Sequence, residues 1–105
     1  MILEVADILI QPGRQAEFDA EIRRGVETVI AHAHGFKGYK VQRSLETPER
    51  YLMIWWATLE DHTLGFRGSL AFSEWRGIVG PFFAQPPVVE HFDLIAKSGD
   101  LPAAA

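Results

Sequence analysis

Residues 51–57 read Tyr51-Leu52-Met53-Ile54-Trp55-Trp56-Ala57, a stretch with no charge and an apolar side chain at every position. Aromatic and branched residues in a run this short read as a strand. Successive strand side chains point to opposite faces, so this strand has to be covered on both. One layer of helices covers one face. The other needs a second layer or a second subunit.

Working outward, Phe36 to Leu45 alternates, with Tyr39, Val41, Arg43 and Leu45 on one side and Lys40, Gln42 and Ser44 on the other. That pattern predicts a half-exposed strand, joined through a turn at Thr47-Pro48-Glu49 into a hairpin with residues 51–57. Met1 to Ile10 predicts another strand, in which Glu4 and Asp7 are the only charges. Gln11-Pro12-Gly13-Arg14 suits a turn, because proline presets φ at its second position and glycine accepts positive φ at its third. Phe18, Ile22, Val26, Val29, Ile30 and Ala33 then recur at helical spacing, up to Gly35. Beyond the hairpin, Thr58-Leu59-Glu60-Asp61 has the form of an N-terminal cap for a short helix ending near Phe66. Ser69 is placed to cap a second helix carrying Phe72, Trp75, Arg76 and Val79, and Pro86-Pro87 leads into a last strand over Val88 to Ile95. The order strand, helix, strand, strand, helices, strand is the ferredoxin-like βαββαβ arrangement, an α+β fold with an antiparallel sheet and helices on one face. Its other face is bare, and in a single copy one of the paired tryptophans would be left wet. A homodimer packed through the sheet face is therefore expected. The domain is expected over residues 1–97, with residues 98–105 as a tail.

Composition narrows the function classes. The 105 residues suit one domain, which buries roughly two-thirds of its unfolded surface and can hold one core. With 10 basic against 14 acidic residues the net charge is −4, which disfavours nucleic acid or an anionic membrane as partner. The absence of cysteine removes disulfides and thiolate metal sites and fits a reducing, cytoplasmic setting. No apolar run approaches a membrane span, and no basic stretch precedes the first apolar run as in a secretory signal.

The Pro12-Gly13 turn, the hairpin ending in Trp56, the short helix into Phe66-Arg67, the Phe72, Trp75-Arg76 helix, Gly80-Pro81 and the Val89-Glu90-His91-Phe92 strand together resemble the antibiotic biosynthesis monooxygenase domain, over about Met1 to Lys97. The resemblance implies a dimeric α+β barrel, two sheets face to face, often with the last strand exchanged between subunits. It implies oxidation of an aromatic or quinol substrate without a bound cofactor, in a site between sheet and helices that uses a tryptophan; Trp56 is the best match. A haem-degrading branch uses an asparagine on the first strand, a tryptophan closing the third and a later histidine ligand. Trp56 matches the tryptophan, but Ala6, with Asp7 beside it, stands near the asparagine position and Arg76 near the histidine position.

Among candidate site residues, Leu59, His62 and Phe66 share one helical face, which puts an imidazole titrating near neutrality on an apolar surface. His62 is thus a candidate base for a phenol or quinol; the alternative is a core-edge histidine bonded to a backbone carbonyl. Trp56 can stack on an aromatic ring and donate from its indole N–H, or serve as packing, and Trp55 is expected on the opposite face as packing. Phe72 and Trp75 suit the core. Arg67 can hold an enolate or reduced-oxygen anion, as can Arg76, the alternative being salt bridges to Glu60, Glu74 or Glu90. His32 and His34, two apart, share no helical face, Glu90 and His91 face opposite ways, and no histidine–carboxylate cluster has metal spacing. A non-catalytic dimer that binds a small apolar ligand, and a haem-binding protein, are the competing readings.

Overall fold

The computed structural model describes residues 2–57 and 69–99. The described elements are β1 (Ile2–Leu9), α1 (Gln15–Thr28), β2 (Gly38–Arg43), β3 (Arg50–Ala57), α2 (Leu70–Val79) and β4 (Val88–Asp93). One antiparallel sheet has the order β2-β3-β1-β4, the ferredoxin-like order expected from the sequence. The short helix predicted from Thr58, with His62 and Arg67, lies outside the described residues.

Register assigns each strand residue to a face. Across β1, β3 and β2, Glu4 pairs with Trp55 and Trp55 with Tyr39; Ala6 pairs with Met53 and Met53 with Val41; Ile8 pairs with Tyr51. These rows face the helices, where Phe18, Ile22 and Val26 of α1 close the core. Phe18 is fully buried, with its ring edge-on to Tyr51 at 4.7 Å and tilted against Phe82 at 5.6 Å. Gly13 takes φ of +84°, as the Pro12-Gly13 turn requires.

Three local features differ from expectation. The α-helix stops at Thr28 rather than running to Ala33, and Ile30–His32 forms a 3₁₀ turn. Thr28, Val29 and Ile30 are consecutive β-branched residues, which are stiff at χ1 and poor helix formers. Val29 has left the helical basin at φ −120°, and the Thr28 hydroxyl bonds back to the Arg24 carbonyl at 2.7 Å. Ser69 holds the N-cap position of α2 in extended conformation, but its side chain makes no capping hydrogen bond. The last strand ends at Asp93, two residues early.

The helices meet where Gly25 of α1 faces Trp75 of α2. A Cβ at position 25 would sit 2.8 Å from Trp75 Cζ3 and 2.9 Å from Cε3, inside van der Waals contact with a buried ring. Gly25→Ala is expected to destabilise: overpacking costs about 1–3 kcal/mol, against about 1 kcal/mol gained in helix propensity. Gly77→Ala, with open space around the new methyl, should stabilise by about 0.5–1 kcal/mol. Urea denaturation of the two variants tests the contact, and equal signs would refute it.

The opposite sheet face carries Leu3, Val5, Leu52, Ile54, Trp56, Val88 and Phe92 by the same register. Val88 and Phe92 are exposed, and Leu3, Val5, Leu52 and Ile54 half-buried. Trp56 departs from expectation: it is only 4% exposed in the single chain, so this ring is covered without a second copy. Asp7 and Arg50 form a bidentate pair on this face at 2.9 and 2.7 Å. Hydrogen bonding from Arg50 holds the Asp7 carboxyl below its ordinary value.

Candidate functional site

A cavity of about 580 Å³ lies between the sheet and α2, within the range of small-molecule pockets. It exists because the central strand is small where the core above it is large. Ala6 sits on β1 between Met53 and Val89 in register, and its methyl leaves a gap below Phe72 and Trp75 of α2. Phe83 and Pro86-Pro87 close one side.

Two ionisable groups line this apolar chamber. Glu4, on the wall beside Trp55, is 7% exposed, a depth at which carboxylates are found when paired. Its cross-strand neighbour on β4 is His91, on the same face. Arg76 lies at the other wall. Its guanidinium stacks 5.4 Å over the Phe83 ring, and it makes no ion pair with Glu74, Glu90 or any other described acid. The salt-bridge alternative therefore fails for those two partners, because Phe83 holds the side chain over the cavity instead. A carboxylate and a guanidinium on aromatic walls can grip a flat ligand at two polar points.

The two tryptophans are exchanged relative to the sequence expectation. Trp55 lines the cavity and packs 6.0 Å from Phe36, while Trp56 lies on the far sheet face. Its Nε1 is buried with no hydrogen-bond partner among the described residues; a buried donor left without one costs about 1–3 kcal/mol. Phe72 and Trp75, expected as core, are both core and cavity wall. His62 and Arg67 lie outside the described residues. Glu4 was missed as a site residue because a charge in a strand reads as a surface mark. The signal was its parity: Glu4 shares its row with Ala6 and Ile8.

Among the described residues no three histidine or acidic side chains gather as a metal site, and no helix is long and apolar enough to cross a membrane. The fold and cavity define a ferredoxin-like α+β domain with a ligand-sized chamber between its layers. The chain belongs to the antibiotic biosynthesis monooxygenase family, whose profile matches residues 1–77. The YczJ protein of Bacillus subtilis (strain 168) is 36% identical over 93 residues, spanning 88% of this chain and 97% of the relative. The crystal structure of a candidate antibiotic biosynthesis monooxygenase from Bordetella bronchiseptica is 41% identical, covers 90% of this chain and 97% of its own, and superposes with a TM-score of 0.84. SnoaB, a cofactor-independent oxygenase from Streptomyces nogalater, shares the fold at a TM-score of 0.77, with 15% identity over 93% of this chain and 96% of its own.

Proposed function

We propose that the chain is a cofactor-independent monooxygenase of a small aromatic or quinol substrate, acting as a homodimer. The observation that supports this most is the aromatic-walled cavity holding a buried carboxylate and an arginine without an acidic partner among the described residues. A hydroquinone and O₂ give a hydroxyquinone and water. One oxygen atom enters the ring and the other leaves as water, and the substrate supplies all four electrons, so no external reductant is needed. Trp55 stacks on the ring. Glu4 takes the hydroxyl proton as electron density builds on the ring. Arg76 stabilises the negative charge that develops on oxygen, and exclusion of water by the rings strengthens both interactions. His62 remains the second candidate for the base and Arg67 for the anion partner. Trp56, on the far face, belongs to the dimer side of this scheme, with the half-buried and exposed apolar side chains around it.

Oxygen uptake on a panel of hydroquinones under ¹⁸O₂ tests the reading, with native protein beside His62→Ala. The expected result is uptake above the protein-free rate, with one labelled atom in the product. Saturable binding without uptake would instead mark a ligand-binding barrel. A full rate in His62→Ala would remove His62 from the chemistry.

A further inference from the structure

The bare sheet face carries few charges, and register shows how they are laid out. One row across the sheet runs Lys40, Ile54, Val5, Glu90, from β2 through β3 and β1 to β4. The neighbouring row runs Gly38, Trp56, Leu3, Phe92. Lys40 and Glu90 are both exposed and stand at opposite edges of the sheet, and neither makes an ion pair with a described residue. Asp7, on the same face, is already bound to Arg50. The two rows are therefore apolar in the middle, and the face is basic at its β2 edge and acidic at its β4 edge.

This pattern is complementary to itself under one symmetry and opposed to itself under another. Two copies that meet through this face in a closed dimer are related by a two-fold axis lying in the plane between them. An axis along the strands, between β3 and β1, lays β2 of each copy over β4 of the other. Lys40 then meets the partner's Glu90, Ile54 meets the partner's Val5, and the Phe92 ring comes over the partner's Gly38, which has no side chain to obstruct it. An axis across the strands lays β2 over β2 and β4 over β4, and turns Lys40 toward the partner's Lys40 and Glu90 toward the partner's Glu90. Packed sheets lie about 10 Å apart, a gap that an extended lysine and glutamate can bridge together. An exposed ion pair adds little affinity by itself. The contrast between attraction under one axis and repulsion under the other is what selects, and symmetry applies it twice.

We infer that Lys40 and the partner's Glu90 fix the orientation of the homodimer, with its two-fold axis along the strands. The pairing rests on the homodimer proposed above and adds to it the residues by which the face recognises a second copy of this chain.

Two measurements test it, both at exposed positions where folding is not at stake. The chain has no cysteine, so introduced thiols alone report. A short bismaleimide should link Lys40→Cys chains to Glu90→Cys chains when the two are mixed, and should link neither variant to itself. By analytical ultracentrifugation at low salt, Lys40→Glu and Glu90→Lys should each raise the dissociation constant by about tenfold, and the swap Lys40→Glu/Glu90→Lys should return it to within about threefold of native. Linking of Lys40→Cys to itself, an unchanged constant in both single variants, or no recovery in the swap would each overturn the pairing while leaving the dimer in place. A native chain that stays at the single-chain mass at every concentration would overturn the dimer and the pairing together.

Discussion

Glu4→Gln is expected to lower hydroquinone turnover by about 100-fold or more, while ligand affinity stays within about threefold. The amide keeps the size of the carboxylate and one accepting oxygen, so it can hold a substrate hydroxyl but cannot take its proton. Glu4 is 7% exposed, so bulk water has little access to substitute for it. Turnover is followed by oxygen consumption, and affinity by quenching of the tryptophans in the cavity wall. A near-native rate in Glu4→Gln would end the role assigned to this carboxylate and pass it to His62. Loss of rate and affinity together would instead mark Glu4 as a binding group.

Ile54→Arg is expected to convert a dimer into a monomer, raising the dissociation constant by about 1,000-fold or more, a change of about 4 kcal/mol. Ile54 sits on the bare sheet face with Val5 and Lys40 as cross-strand neighbours. A guanidinium there would be desolvated by the facing sheet, and Asp7 on the same face is already paired with Arg50. Phe92→Asp, at a side chain 46% exposed, is the milder variant and disturbs the single chain least. Light scattering should fall from twice the chain mass to the 11.8 kDa of one chain. A native protein that already runs at the single-chain mass at every concentration would sink the dimer. Asp7 and Arg50 on the same face are already paired within the chain, so they enter an interface with their hydrogen bonds satisfied.

Much of the fold could be read because its signals are local. The Pro12-Gly13 turn, the alternation of Tyr39, Val41 and Arg43, and the helical spacing of Phe18, Ile22 and Val26 each carry their own periodicity. The site was harder to read, because residues 51–57 are apolar on both faces and show no alternation. Which tryptophan faces the helices is set by register with β2, where Trp55 meets Tyr39. The hairpin pattern contained that information: Tyr39 and Val41 are the apolar row, and pairing across the turn carries their face to Met53 and Trp55. The end of α1 depended on three β-branched residues outweighing a continuing apolar spacing. The cavity depended on one small residue, Ala6, and no property of an isolated alanine marks a void.

The back-to-back placement of Trp55 and Trp56 gives the molecule two separable optical probes one residue apart. Trp55 looks into the α2 chamber and Trp56 toward the bare sheet face. Replacing one or the other by phenylalanine divides the emission into a channel for what enters the chamber and a channel for what settles on the sheet. Trp75, also in the chamber wall, reinforces the first channel only.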